Sequence, residues 1–379
     1  MAKLSIAQLK SVVASYIDSN KISVDSFSAT YNNSVALLDT LGKIYTLWQT
    51  YSDKLDIFDG EDLSFGKTIE EWAQDLILPE NFDSSGSTTL APHESTYRPN
   101  CFSFTLGKKT IPQTIRNNDI ERAVHNAAQF TEIISGKTKA MYDSETLFRY
   151  QLKRQALGVL ITKAAYLMNQ ANADVTISAL SSSLSAARDV NDTVAVGSNP
   201  YDIYLVVKPI PASTYTGQQA VDNGFMVKLD LITTIAKPVD TSTGEAFIKQ
   251  IKSDVEIASD FSEGHSMNAN TLGANPEAGL VLLMLQGVKP SLEVDTFAGA
   301  FNKAELALPS TLKVLPDFGN ANSTYYSLLL DRRILRCHNT YRAVRENMNG
   351  QGDFLNMFYH TENTVHISKN CFIKIYKAS

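Results

Sequence analysis

The sequence predicts an α+β chain organised along one very long helix, and three observations carry that expectation. Residues 119–172 hold the longest run of helical periodicity, with no proline inside it. Residues 59–112 read as an extended two-stranded excursion with an irregular tip. Between residues 201 and 330, strand-like and helix-like segments alternate as they do in one compact α/β lobe.

The helix is read from its apolar spacing. Ile120, Ala123, Val124, Ala127, Phe130, Ile133 and Ile134 recur at helical intervals, with Glu121, Arg122, Gln129 and Glu132 between them. Leu147, Phe148, Leu157, Leu160, Ile161, Ala164, Ala165 and Met168 carry the second half. At 1.5 Å per residue that half alone reaches roughly 40 Å. Gly136 and Lys137 weaken the pattern and Asp143 or Ser144 can cap a new start, so a break or bend is expected at residues 136–144.

The excursion is read from punctuation and alternation. Phe102, Phe104 and Leu106 alternate with Ser103 and Thr105, the period of a half-exposed strand. Upstream lies FGKTIEEWAQDLIL, and between the two is a tip rich in proline, asparagine, glycine and serine. An isolated two-stranded ribbon is marginally stable in water, so a neighbouring subunit is its natural cover.

In the lobe, residues 201–207 and 225–235 read as strands and residues 244–257 as a helix with Phe247, Ile251 and Val255 on one face. Residues 279–285 are apolar enough for a central strand buried on both faces. A short helix is expected over 290–301 and strands over 311–315 and 325–330. Residues 354–359 and 365–376 read as a terminal hairpin. At the other end, residues 5–15 and 35–48 form two short amphipathic patterns with too few apolar residues for a core of their own.

Composition narrows function. With 379 residues the chain can bury a full core, and its 44% hydrophobic and 20% charged residues are ordinary for a soluble protein. A net charge of −6 argues against a chain specialised to grip nucleic acid. Cys101, Cys337 and Cys371 fit no zinc spacing and read as reduced thiols. No signal-peptide run opens the chain, and no apolar run is long enough to span a bilayer.

Catalytic motifs are looked for and not found. Gly66-Lys67-Thr68 imitates the end of a phosphate-binding loop without its earlier glycine. Adjacent Glu70 and Glu71 cannot flank one substrate and read as a solvated face. His360 and His366, with Glu362, are the one metal-like grouping; exposed hairpin histidines are the commoner reading. Arg332, Arg333, Arg336, Arg342 and Arg345 form the one basic cluster, which suits phosphate or an intersubunit salt-bridge surface.

The order of parts resembles tailed-phage major capsid proteins of the HK-97-type fold, in particular the phi-29-like group of small podophages. FGKTIEEW from Phe65 resembles the start of the extended loop, and TIRNNDIERAVHNAAQFTEII from Thr114 the entry to the spine helix. GLVLLMLQGVKPSLEVDTFAGAFNKAELAL from Gly279 resembles the strand and short helix of the axial lobe. DRRILRCHNTYRAVRENMNGQGDFLNMFYHTENTVHIS from Asp331 resembles the return to the peripheral lobe.

That resemblance implies an N-terminal arm (1–58), an extended loop (59–112), a peripheral domain with the spine helix (113–180), an axial domain (181–345) and return strands (346–379). It implies a non-enzymatic shell protein with no catalytic or metal residues and no cofactor. Its partners would be copies of itself in pentamers and hexamers, a scaffolding protein and portal during assembly, and packaged double-stranded DNA on the inner face, with no membrane. It would reside in the virion after assembly in the host bacterial cytoplasm. Contact with a neighbour is assigned to Phe65, Gly66, Lys67, Thr68, Ile69, Glu70, Glu71 and Trp72. The chain stops at Ser379, so the immunoglobulin-like domain that members of the group can carry is expected to be lacking. An encapsulin-like compartment shell and a metal-dependent hydrolase using His360, Glu362 and His366 are the alternatives.

Overall fold

The computed structural model describes residues 51–63, 69–74, 79, 97–99, 101–105, 107–116, 127–169, 193–195, 203–210, 215, 217–268, 279–292, 311–319, 321 and 323–379. The two amphipathic patterns at 5–15 and 35–48, the loop tip, Phe65–Thr68, the first residues of the long helical pattern and most of the helix expected over 290–301 lie outside them. A 3₁₀ turn at Asp56–Phe58 opens the described chain. The elements that follow, in order, are β1 (Trp72–Gln74), β2 (Tyr97–Pro99), β3 (Cys101–Thr105), β4 (Lys109–Arg116), α1 (Ala127–Asn169), β5 (Thr193–Ala195), β6 (Ile203–Val206) and α2 (Gly217–Asp222). Then come β7 (Met226–Lys228), β8 (Ile232–Thr234), α3 (Thr241–Ser259), β9 (Leu280–Leu285), α4 (Val288–Ser291), β10 (Thr311–Leu315), β11 (Tyr325–Asp331), β12 (Leu335–Asn349), β13 (Phe354–Ser368) and β14 (Ile373–Lys377).

The described residues fall into two compact units. One draws on Thr110–Thr146 and Ala343–His360, the other on Asp53–Lys109, Leu147–Arg342 and Thr361–Ser379. Helix α1 and strands β12 and β13 contribute residues to both.

The larger unit is built on a five-stranded mixed sheet in the order β10-β9-β11-β14-β8. β9 runs parallel to β10 and antiparallel to β11, while β14 is antiparallel to β11 and parallel to β8. Strand alternation sends successive residues to opposite faces, and both faces are covered. Val281 and Leu283 of β9 and Ile373 and Ile375 of β14 join Leu152, Ala156, Leu157, Leu160, Ile161 and Ala164 of α1 in one core cluster. Leu282, Met284 and Tyr376 join Phe247, Ile248, Ile251 and Ala258 of α3 in another. The continuous apolar run LVLLML is therefore the central strand the sequence predicts, because a strand covered on both faces has no polar side.

Helix α3 starts where its chemistry permits. Asp240 accepts a hydrogen bond from the Thr243 amide and the Thr243 side chain returns to the Asp240 backbone, a reciprocal cap. Behind it, Lys374 is 1% exposed and its ammonium lies 2.5 Å from Asp230 Oδ2. Asp254, also 1% exposed, accepts from Tyr376 Oη at 2.7 Å and from Gln250 Nε2 at 3.0 Å. Burial pushes the Asp254 carboxyl above its ordinary range, only partly countered by Lys374 and these donors. Burial also lowers His265, whose Nδ1 donates to the Asp230 carbonyl oxygen at 3.1 Å.

A second sheet runs β12-β13-β3, with β4 also on β13. In the smaller unit its residues pack on the N-terminal part of α1 through Ile115, Met141, Met357 and Tyr359. Tyr142 meets Tyr359 edge-on at 5.3 Å, and the Tyr359 hydroxyl donates to the buried Glu145 carboxylate. A third, small sheet, β5-β6-β7, closes with α2 around Val206, Ile210, Ala220 and Met226.

Three expectations are corrected. α1 is helical without interruption over Ala127–Asn169, so residues 136–144 do not break it. Gly136 is buried, Lys137 Nζ donates to the Thr114 carbonyl oxygen, and the Ser144 hydroxyl donates back to Ala140 O, inside the helix, rather than capping a new one. Residues 225–235 are not one strand but two, β7 and β8, in different sheets. Residues 354–359 and 365–376 are not a hairpin. β13 runs through to Ser368 and its hairpin partner is β12, while β14 joins the five-stranded sheet, where Phe372 and Tyr376 fill the space under α3.

One buried charge anchors the segment before the loop. Lys153, on the inner side of α1, is 0% exposed, and its ammonium reaches Asp53 Oδ2 at 2.5 Å, Asp59 Oδ1 at 2.6 Å and the Leu55 carbonyl oxygen at 3.0 Å. Arg149, one turn earlier, adds a bond to Asp59 at 2.9 Å. A buried ammonium holds its charge only when carboxylates and carbonyls replace water. Leu55 and Phe58, both 0% exposed, then enter the core on the same short turn. Lys153→Ala leaves two carboxylates facing an apolar gap and is expected to cost about 3–5 kcal/mol. A urea titration measures this, and a loss below about 1 kcal/mol would show that the ammonium anchors nothing.

Candidate functional site

The root of the extended excursion is its first feature with surface consequences. β1 and β2 pair antiparallel, Trp72 opposite Pro99 and Gln74 opposite Tyr97, so a two-stranded root is present, but its returning strand is Tyr97–Pro99, read in the sequence as part of the tip, while the alternating Phe102–Thr105 stretch pairs with β13 instead. The returning arm continues into β3, which is registered on β13 with Ser368 opposite Cys101 and His366 opposite Ser103.

The outgoing arm is held at the same end of β13 by a side chain. Glu71 Oε1 accepts from the Ser368 hydroxyl at 2.7 Å and from Asn370 Nδ2 at 3.0 Å, and Oε2 lies 3.3 Å from His366 Nε2. Asn370 is in turn joined to Asn268, at the end of the segment after α3, and Ser266 closes that segment on the Asn268 carbonyl oxygen at 2.9 Å. Burial raises the Glu71 carboxyl, but the bonds from His366, Ser368 and Asn370 together outweigh it and hold the group below its ordinary value. Glu70 is exposed, as the solvated reading required; Glu71 is not, because the ribbon turns it onto β13. Of the stretch Phe65–Trp72, then, Glu71 is engaged within its own chain.

The arginines also have partners in their own chain. Arg333 grips Asp331 with Nη2 2.7 Å from Oδ2. Arg336 Nη1 donates to the carbonyl oxygens of Ile57 and Asp59, each at 3.3 Å, and Arg332 Nε reaches Ile57 O at 3.5 Å. Arg342 lies 3.6 Å from Asp62. Arg345 is exposed. The same stretch of β12 is joined by residues 59–63 through an isolated parallel bridge between Asp59 and Cys337 and two backbone bonds: the Gly60 amide donates to Cys337 O and the Leu63 amide to Asn339 O, both at 2.9 Å. The His338 ring lies over Gly60, where a Cβ would sit 2.3 Å from the imidazole, so a side chain here would require the ring to move. Its Nδ1 donates to the Glu61 carbonyl oxygen at 2.8 Å.

His360, Glu362 and His366 do not converge. All three lie on β13, where six residues of strand separate the two histidines by about 20 Å. His360 bonds Thr110 at 2.9 Å, the Glu362 carbonyl oxygen accepts from Thr340, and His366 faces Glu71. Among the described residues no cluster of histidine, cysteine, aspartate and glutamate could hold a metal ion, and no helix is long and apolar enough to cross a membrane. Cys337 and Cys371 are buried free thiols; burial pushes Cys371 up to about 12, which suits an inert core thiol.

Two features were missed in the sequence. Lys153 had a signal: it is a charge on the apolar stripe of Leu152, Ala156, Leu157 and Leu160, where only a partnered lysine is tolerated. The hub around Glu71 had none, since residues 71, 268 and 366–370 meet only through the tertiary fold.

The architecture of a long helix, a doubly covered mixed sheet and a ribbon-like excursion is that of a phage capsid subunit. The capsid structure of Staphylococcus phage Andhra is similar over 89% of this chain and 88% of that one, with a TM-score of 0.51 at 10% sequence identity, so the two share a fold. The capsid structure of cyanophage P-SCSP1u is similar over 90% and 94% with 9% identity and a TM-score of 0.47, and adds no weight to that statement. No curated protein matches the chain. The family described as Phi29-like phage major capsid protein matches residues 3–371, nearly the full length, and the chain belongs to that family. It is a structural component of a phage particle.

The Glu71 carboxylate gives a pH signature. Its native value lies below the ordinary 4.5, so the stability it contributes is fully present above 4.5 and is lost as pH falls through the lowered native value. Melting temperatures of the wild type and Glu71→Gln should therefore differ at neutral pH and converge under acid. A gap unchanged down to the acid limit would contradict the assignment.

Proposed function

We propose that this major capsid protein assembles through pentamers and hexamers of itself into an icosahedral shell around double-stranded DNA. Scaffolding and portal proteins assist in the host bacterial cytoplasm. The observation that carries this reading is the family match over residues 3–371 on a chain in which Trp72–Gln74 and Tyr97–Pro99 pair as a two-stranded root. A two-stranded ribbon is marginal on its own, and a neighbouring subunit supplies the missing surface. Heterologous contacts of this kind close into rings, and a permanent shell calls for interfaces above ~2,000 Å².

Within that reading residues 1–58 act as the N-terminal arm, 59–112 as the extended loop, 113–180 with most of 346–379 as the peripheral lobe and 181–345 as the axial lobe. The position of β14 in the five-stranded sheet favours counting it with the axial lobe. The neighbour is met by the loop, with Phe65, Gly66, Lys67, Thr68, Ile69, Glu70 and Trp72 as its contact stretch. The exposed Arg345 is the member of the basic cluster best placed to pair outside its own chain. The function is structural rather than enzymatic.

Electron microscopy of the purified protein should show capsomers or closed shells, and a strict monomer at high concentration would overturn the proposal. Trp72→Ala should weaken subunit association by about 2 kcal/mol, roughly 30-fold, because aromatic anchors dominate interfaces. The melting temperature of the unassembled subunit should stay near that of the wild type. Equal loss of both would place Trp72 in the subunit's own core.

A further inference from the structure

We propose that Glu71 is a positioning residue that sets the angle at which the extended loop leaves the subunit, an inference that rests on the assembly role proposed above. Both arms of the loop are fixed to one place, the C-terminal end of β13. The returning arm is fixed by backbone pairing of β3, whose register runs from Thr105 opposite Thr364 to Cys101 opposite Ser368. The outgoing arm is fixed there by the Glu71 carboxylate, through Ser368, Asn370 and His366. Backbone pairing fixes register along many bonds, whereas a single carboxylate is a hinge pin: removing it leaves the outgoing arm attached to β13 only indirectly, through its three-residue pairing with β2, while the returning arm keeps its own ladder.

Three details distinguish the pin from an ordinary surface contact. Glu71 Oε2 and His366 Nε2 are both shielded from solvent and face each other, so neither has water as a substitute partner. Asn370 serves two masters, Glu71 on one side and Asn268 on the other, so the loop root is coupled to the segment that follows α3. That segment is tied to the central sheet, since the Ile373 amide of β14 donates to the His265 carbonyl oxygen at 2.9 Å. The loop root is thus tied to the five-stranded sheet, whose strands β9, β11 and β14 are largely buried.

In a closed shell the same contact recurs around rings, and closure at one size requires each subunit to present it within a narrow range of angles. A loop pinned at both roots has that property. With the outgoing root released, the same contact surface is offered over a wider range of angles, and shells of several curvatures become accessible.

The experiment compares full-length wild type, Glu71→Ala and Glu71→Gln. Particle diameters are read by electron microscopy and subunit melting is followed separately. Glu71→Ala should fold yet lose the single-diameter population, giving mixed diameters or open sheets. Glu71→Gln keeps an acceptor for Ser368 and Asn370 and should restore one diameter. Should Glu71→Ala fail to fold, Ser368→Ala and Asn370→Ala each remove one donor and should broaden the diameters. Uniform shells from Glu71→Ala, or from both donor variants, would overturn the pin. A wild type that forms no particles at all would instead overturn the assembly reading, and the pin with it.

Discussion

A lysine with no access to water organises the larger unit of this subunit. The Lys153 ammonium can remain in the core only because Asp53, Asp59 and the Leu55 carbonyl stand in for its hydration shell. Those partners come from a short stretch of chain that has little regular structure of its own beyond one 3₁₀ turn. The demand of one charge therefore dictates where that stretch lies. Once it is there, Leu55 and Phe58 fill the core, Arg336 and Arg332 cap its carbonyls, and residues 59–63 join β12. The chain that next enters the extended loop starts from a defined place.

The same logic recurs at the other end of the loop root. Glu71 is placed by a ribbon and satisfied by β13 and the turn after it. Lys374 and Asp254 form a comparable buried pair beneath α3. Each case spends polar groups in the interior, where a mispaired alternative costs several kcal/mol. These are devices for geometric definition more than for bulk stability, which comes from the two apolar layers on either side of the five-stranded sheet. A subunit that must present the same surface many times over has good use for interior contacts that admit one arrangement.

The basic cluster shows how a surface reading changes on folding. Five arginines within fourteen positions read as an exposed patch. In the structure Arg332, Arg333, Arg336 and Arg342 instead reach carbonyls and carboxylates of their own chain. Their spacing gave no hint of this, because Asp62 and the carbonyls of residues 57 and 59 lie about 280 positions away in sequence. The paired histidines failed as a site for the opposite reason. An assumed turn would have folded His360 and His366 together, and a continuous fifteen-residue strand holds them apart.

Periodicity carried most of what was legible. The long helix, the apolar central strand β9 and the body of α3 follow from local pattern, since burial on one or both faces of an element writes itself into residue spacing. The order of these elements also sufficed to point to the capsid family. Strand partnership was a different matter. Whether β13 ends at Tyr359 or runs to Ser368, and whether β14 pairs with it or crosses to another sheet, depends on which distant edge offers hydrogen bonds and which cavity needs Phe372 and Tyr376. The uninterrupted helix likewise draws on chain outside it: Lys137 is tied to the Thr114 carbonyl oxygen. Local spacing determined which elements form; the pairing of buried charges and open strand edges, which only the folded chain brings within reach, decided where each one goes.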